Sequence, residues 1–197
     1  MIERDIWLAL APVVKSFVRL EIPYYIGGSV ASSIYGIGRS TLGADVVADL
    51  KDDQIDAFMG DLGNDYYASQ SMIKAAVADK ASFNVIHHET TIKIDVFAVK
   101  SRDYDLIALT RIREDVVKVE EGLFDIVLAA PEDVVLNKIE WYEKGDRVAE
   151  RQWKDVIGVL EIQKGKLDIG YLKQWAETLK LDELLQQAFD AAGISTT

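Results

Sequence analysis

The sequence contains no cysteine. That absence excludes disulfides, thiolate metal centres and cysteine nucleophiles together. Histidine is almost as scarce: the chain has two, His87 and His88, and they are adjacent. A structural zinc site, a histidine-rich metal cage or a Ser-His-Asp triad is therefore not expected. Successive strand residues point to opposite faces, so a turn or surface role is expected for this pair rather than catalysis. There is no apolar run of about 18 residues, so no membrane-crossing helix is expected. Met1–Phe17 carries charges among its first residues and reads as an amphipathic helix, not a leader peptide. With no cysteine, the cytoplasm is the expected location. Basic residues are outnumbered: 22 Lys and Arg face 33 Asp and Glu, a net charge of −11. Broad, non-specific nucleic-acid binding needs many cations on phosphates and is not expected. Oxygen ligands are the route to metal chemistry that remains.

What is present suits a folded protein. A chain of 197 residues with 49 % hydrophobic side chains supports one domain, or a domain with an appendage. Apolar spacing predicts a helix over 2–20 with Pro12 as a kink, then a strand at Tyr24–Ile26 ended by Gly27–Gly28. Ser29 is expected to cap a helix over Val30–Tyr35 that stops at Gly36. A strand at Asp45–Leu50, helices over 54–62 and 70–81, strands at Phe83–His87 and Thr91–Val99 and a short helix over 103–110 follow. Two more short strands are expected at Val116–Val119 and Phe124–Val127. Beyond Pro131 the periodicity is helical over 132–143, 146–162, 168–179 and 181–192, with Asp168 and Gly193 as start and stop signals. The expected organisation is an α/β domain over 1–130 and a helical domain over 131–197.

The informative stretch runs from Ile26 to Asp45. A strand ending in Gly27–Gly28, with Ser29 opening a helix, can cradle phosphate on free helix N–H groups. Arg39 could grip phosphate oxygens bidentately. Alone, a Gly-Gly turn is more often just a turn. Strand alternation then puts Gly43, Asp45, Val47 and Asp49 on one face, and Lys93, Asp95 and Phe97 on one face of a second strand. Asp95 sits in an otherwise apolar strand, where a carboxylate is costly unless paired or bound to a cation. Two carboxylates on different strands near a glycine-rich helix start are the makings of a Mg2+ site that also holds substrate phosphates.

Gly-Gly-Ser, a helix, Gly38 to Asp45 and a later lone Asp95 together resemble the DNA polymerase β-like nucleotidyltransferase superfamily. Pro131–Lys138 with Arg151 and Asp155 is similar to the helical tail of abortive-infection toxin-type enzymes and related uncharacterised bacterial proteins. The resemblance runs from about Tyr24 to about Leu160. It implies an α+β fold: a mixed sheet flanked by helices, then a C-terminal helical bundle. It also implies that Gly27, Gly28 and Ser29 contact an NTP, that Arg39 and Thr41 support the loop, and that Asp45 and Asp95 hold Mg2+. Asp95 would also activate an attacking hydroxyl, Lys138 would approach the triphosphate, and Asp155 would orient Lys138 or Arg151.

One position departs from the pattern. Gly43 stands where the superfamily has the first aspartate of its Asp-x-Asp pair. Asp49 lies four residues beyond Asp45, roughly 13 Å in an extended strand, too far to substitute. The expected activity is transfer of a nucleotidyl group from an NTP to a hydroxyl of a small molecule, protein or RNA. The alternative is a catalytically degenerate nucleotide- or protein-binding module. A third reading, an antitoxin-like or oligomerising module, requires an exposed apolar patch on 168–192. Trp141, Tyr142 and Trp153 could stack a base but more often form core. Arg111, Arg113 and Lys118 read as a solvated strand face. Lys138 reads either as a site residue or as a lysine snorkelling at the edge of an apolar helix face.

Overall fold

The computed structural model describes residues 4–119 and 122–195, and in it the chain divides into two units. The first comprises the chain up to Gly27 with Ser40–Ala129; the second comprises Gly28–Arg39 with the chain from Ala130 onward.

The first unit is built on one mixed sheet. Its strands are β1 (Tyr24–Ile26), β2 (Gly43–Ala48), β3 (Tyr66–Tyr67), β4 (Ser82–His87), β5 (Lys93–Ala98), β6 (Arg113–Val119) and β7 (Gly122–Leu128), ordered β3-β4-β5-β2-β1-β7-β6. The β1–β7 and β2–β5 pairs are parallel and the others antiparallel. The helices are α1 (Arg4–Arg19), α3 (Ile55–Leu62), α4 (Gln70–Asp79) and α5 (Asp103–Thr110), while α2 (Gly28–Tyr35) belongs to the second unit. Strand alternation is the organising pattern. Ala44, Val46 and Ala48 of β2 are buried, as are Ile94, Val96 and Ala98 of β5 and Phe83 and Val85 of β4. Asp45, Val47, Asp95, Phe97 and Asn84 lie on the other, half-buried face.

The apolar stripe of α1 supplies the core beside that sheet. Ile6, Leu10, Val13 and Phe17 are fully buried. Phe17 stacks on Phe58 of α3 at 5.2 Å, and Phe58 meets Phe83 of β4 edge-on at 6.2 Å. Burying one such side chain contributes roughly 1.5–3 kcal/mol. Pro12 lies inside α1 on an exposed position, so its missing N–H does not end the helix. The 3-10 turn at Asp52–Gln54 precedes α3, and the N–H of Lys51 donates to Gln54 Oε1 at 3.0 Å. Strand β3 has two residues and shows no periodicity to read in the sequence; its pairing with Ile86 and His87 makes it a strand. The side chain of Lys118 lies outside the described residues.

The second unit is helical: α2 (Gly28–Tyr35), α6 (Pro131–Lys144), α7 (Glu150–Ile162), α8 (Ile169–Leu179) and α9 (Asp182–Ala191). Sequence order keeps 28–39 with the sheet, but the contacts group it with the helical tail. Glycines explain why. A Cβ on Gly36 would lie 2.8 Å from backbone atoms of Gly158 and Val159, so the end of α2 sits directly on α7. Gln163 Nε2 donates to the Tyr35 carbonyl at 2.8 Å, satisfying a C-terminal acceptor of α2. Pro131 opens α6, followed by Glu132 and Asp133, whose charge suits a helix N-terminus. Glu132 Oε1 accepts from the Asp168 N–H at 2.9 Å, and Asp133 Oδ1 accepts from the Tyr171 hydroxyl at 2.7 Å. Asp168 caps α8 as expected, accepting from the Tyr171 N–H at 2.9 Å.

Among the described residues, 168–192 show no exposed large apolar side chain of the kind an oligomerising tail requires. Leu172, Trp175, Leu181, Leu184, Leu185 and Phe189 are all buried within the chain. Among the described residues no helix is long and apolar enough to cross a membrane. Gly36→Ala is expected to destabilise the protein by about 1–3 kcal/mol, because the methyl would meet backbone that cannot move aside. A thermal melt followed by circular dichroism checks this; an unchanged midpoint would contradict the close packing.

Candidate functional site

The parallel pairing of β2 with β5 puts Asp45 directly opposite Asp95. The antiparallel pairing of β4 with β5 puts Asn84 opposite Asp95 on the other side. Paired residues share a face, and neighbouring strands lie about 4.7–4.9 Å apart. The sheet therefore presents one polar row, Asp45–Asp95–Asn84, on its half-buried face. The row before it is Gly43–Lys93–Ile86. From there Lys93 Nζ reaches Asp95 Oδ2 at 2.8 Å, with the lysine side chain 51 % and the aspartate 28 % exposed. The shared face of Lys93 and Asp95 is readable in the sequence; the ion pair is not, because it needs the lysine to fold back along the strand.

Gly43 has a structural reason of its own. A Cβ there would lie 2.7 Å from the carbonyl oxygen of Lys93. An aspartate cannot be restored at 43 without moving one of the two strands, so Gly43→Asp is not a simple reversal of the departure. Thr41 is buried, and its hydroxyl donates to the Gly43 carbonyl at 3.0 Å, fixing the entry to β2. The Gly27 N–H donates to the Asp45 carbonyl at 2.9 Å, so the backbone of the strand end is tied to the acid pair's own strand.

Two carboxylates suit one Mg2+, which commonly takes one or two protein carboxylates and completes its shell with water and phosphate oxygens. A second ion has no further carboxylate: among the described residues no three acids or histidines gather.

The second unit holds a different cluster, around Asp155 of α7. Arg39 grips its carboxylate in fork fashion, Nε to Oδ1 at 2.9 Å and Nη2 to Oδ2 at 2.8 Å. Lys138 Nζ donates to the same Oδ2 at 2.8 Å and to Gln152 Oε1 at 2.9 Å. Ser32 Oγ donates to Oδ2 at 3.3 Å. Arg39 Nη2 also donates to Ser29 Oγ at 2.9 Å. Burial alone would raise the Asp155 carboxyl; hydrogen bonds from Arg39 and Lys138, and their charges, outweigh it and hold it below the usual carboxylate range.

Three sequence expectations change here. The helix starts at Gly28, whose φ of 54° favours glycine, so Ser29 lies inside the first turn and is held by Arg39 instead of acting as the cap. Of the two partners expected for Asp155, Lys138 or Arg151, it contacts Lys138, its further partner is Arg39, and Arg151 is exposed. Lys138 itself is 4 % exposed and engaged by Asp155 and Gln152, which is not a snorkelling side chain. Gln152 and Ser32 were not expected in this cluster. Gln152 sits three residues before Asp155 on one helix face, a spacing that could have pointed to it.

Against the expected turn or surface role His87 is buried, and against the expected core role Trp141 is exposed. The His87 Nδ1 lies 3.0 Å from Thr90 Oγ1 and its ring meets Tyr66 at 5.0 Å. Tyr142 packs on Trp153 at 5.2 Å, and Lys144 lies over Trp141 at 5.5 Å.

No protein-family model matches the sequence, and no curated protein matches it. Solved structures do. An antigenic nucleotidyltransferase-like protein from Paracoccidioides brasiliensis is similar at a TM-score of 0.55 and 18 % identity, over 95 % of this chain and 93 % of that one. The lincomycin-bound lincosamide antibiotic adenylyltransferase LnuA gives a TM-score of 0.47 at 12 % identity, over 82 % and 98 %. The antibiotic-resistance factor ANT(2'')-Ia gives 0.46 at 12 % identity, over 92 % and 91 %. Only the first likeness is strong enough to establish a fold: this chain has a nucleotidyltransferase-like α+β fold.

Asp155→Asn is expected to cost about 3–5 kcal/mol at neutral pH, because the buried Lys138 ammonium loses the charge that compensates it. The depressed folded-state value makes Asp155 contribute stability above its unfolded value near 3.9 and lose it as pH falls through the folded one. Denaturant unfolding of both proteins across pH should therefore show the gap closing below about pH 4. A gap that stays constant with pH would contradict the ionic account.

Proposed function

We propose that the chain binds a nucleoside triphosphate with one Mg2+ and transfers its nucleotidyl group to a hydroxyl acceptor. The observation that carries this reading is the direct register of Asp45 and Asp95 on adjacent strands, within a fold shared with a nucleotidyltransferase-like protein. Mg2+ held by Asp45, Asp95 and the phosphates would polarise the α-phosphate and neutralise charge on the departing pyrophosphate. The acceptor oxygen forms a bond to the α-phosphorus, the bond to the β-phosphate oxygen breaks, and pyrophosphate leaves. The acceptor proton passes to the Asp95 carboxylate, whose position in the superfamily pattern is that of the activating group. The superfamily resemblance assigns the backbone N–H groups of the first turn of α2 and the Ser29 hydroxyl to phosphate oxygens. Gly27 leaves room for a ligand beside the backbone: a Cβ there would meet nothing closer than the Tyr25 ring at 3.7 Å, so packing does not demand glycine, while its own N–H is spent on the Asp45 carbonyl.

Arg39, Lys138 and Asp155 then act as positioning residues for the start of α2. Arg39 holds Ser29, Asp155 holds Arg39, and Lys138 holds Asp155. This replaces a direct approach of Lys138 to the triphosphate. Thr41 fixes the opposite end of the loop. The finer likeness of Pro131–Lys138 and Asp155 extends the proposal to the toxin-type branch, working in a bacterial cytoplasm on a small-molecule, protein or RNA hydroxyl.

A specific observation also favours the second reading, a nucleotide-binding module without turnover: the Lys93 carbonyl occupies the space an aspartate at 43 needs. The two readings separate in one assay. Pyrophosphate release from ATP, GTP, CTP and UTP is measured with Mg2+ for the natural chain and for Asp45→Asn and Asp95→Asn. Transfer predicts release that falls about 100-fold or more in both variants. Magnesium-dependent nucleotide binding without release would favour the module. Release undiminished in Asp95→Asn would overturn the site assignment.

A further inference from the structure

Lys93 is the polar side chain that the superfamily pattern does not explain. It stands opposite Gly43, in the row where the first carboxylate would be, and bends onto Asp95 in the next row. We infer that the Lys93 ammonium takes the place of a divalent cation on Asp95 while no nucleotide is bound. It serves as the resident counter-ion of Asp95 and leaves a site for a single divalent ion that competes with it. This inference rests on the proposed role of the acid pair.

The geometry supports it in three ways. The ammonium already lies at 2.8 Å from Asp95 Oδ2, so that oxygen has a cation beside it without any metal. The Lys93 carbonyl is 2.7 Å from a Cβ built on Gly43, so the strand spacing excludes the carboxylate that would hold a second cation. The charges also fit the smaller load. Asp45, Asp95 and Lys93 sum to −1, whereas three aspartates would carry −3. One divalent ion arriving with a polyphosphate suits the former. An ammonium is a compact point charge with three rotatable donors, so it can serve a carboxylate oxygen without a fixed coordination geometry. Half exposure leaves it room to swing aside when a divalent ion arrives with phosphate. Lys93 therefore weakens cation binding by the free protein and makes the phosphate-borne cation the preferred one.

Mn2+ binding to the full chain tests this without any turnover. Free Mn2+ is followed by electron paramagnetic resonance, with and without a non-hydrolysable nucleoside triphosphate analogue. The expected result is one Asp45-dependent ion in the natural chain and roughly three- to tenfold tighter binding in Lys93→Met without nucleotide. Lys93→Gln should move the same way, and Lys93→Arg should stay near the natural value; circular dichroism confirms that each is folded. Unchanged or weaker binding in both neutral variants would overturn the inference while leaving the acid pair in place. Two Asp45-dependent ions in the natural chain would also overturn it. If neither the natural chain nor Lys93→Met binds Mn2+ in an Asp45-dependent way, the acid-pair reading itself fails and the role of Lys93 goes with it.

Discussion

Parallel pairing of β2 with β5 is the constraint on which the acid pair depends. Side chains alternate along a strand, so a slip of one residue would send Asp45 into the core and leave Asp95 facing Val46 or Ala44. The apolar faces forbid that slip. Val46 and Ala48 on one strand, and Ile94 and Val96 on the other, are fully buried, with α1 packed against β2 and α4 against β5. Placing a carboxylate among them without a partner would cost far more than a methyl contributes. The core thus fixes the register, and the register fixes the row Asp45–Asp95–Asn84 on the opposite face. Gly43 belongs to the same constraint, since the strand pair closes to a carbonyl where a side chain would begin.

The helical unit solves a different problem. Asp155 and Lys138 are charged groups with little access to water, at 7 % and 4 % side-chain exposure, and Arg39 reaches them from a position 32 % exposed. A buried ion pair is not an efficient source of net stability, since apolar side chains of similar size often do as well. What it supplies is geometry. A two-point grip on Asp155 sets the guanidinium plane of Arg39, and the same guanidinium reaches Ser29 in the first turn of α2. Gly36 and Gly158 let α2 and α7 approach closely enough for Ser32 to join the carboxylate.

Much of this was legible in the sequence, and the physical reason is periodicity. The alternation through 43–49 and 93–97 marked both the core face and the acid-bearing face, and Asp168 announced the start of α8. What stayed hidden depends on distant pairing. Arg39 and Asp155 are 116 residues apart, and no spacing rule joins them. The Gly43 contact lies with a carbonyl on another strand, so from sequence alone the glycine reads only as a lost carboxylate. Strand β3 is too short to carry a pattern, and Ser29 changed role because a left-handed Gly28 starts the helix earlier. Tail residues 168–192 looked free to form an interface, but their large apolar side chains are consumed within the chain.

The central claim is that Asp45 and Asp95 together receive the cation that accompanies a nucleotide. Paramagnetic broadening by Mn2+ locates such a cation directly. In an assigned amide spectrum with a non-hydrolysable triphosphate analogue, substoichiometric Mn2+ should first erase signals flanking Asp45 and Asp95. Broadening centred instead on exposed acids such as Asp182 and Glu183 at the start of α9, with the two strands spared, would contradict the account.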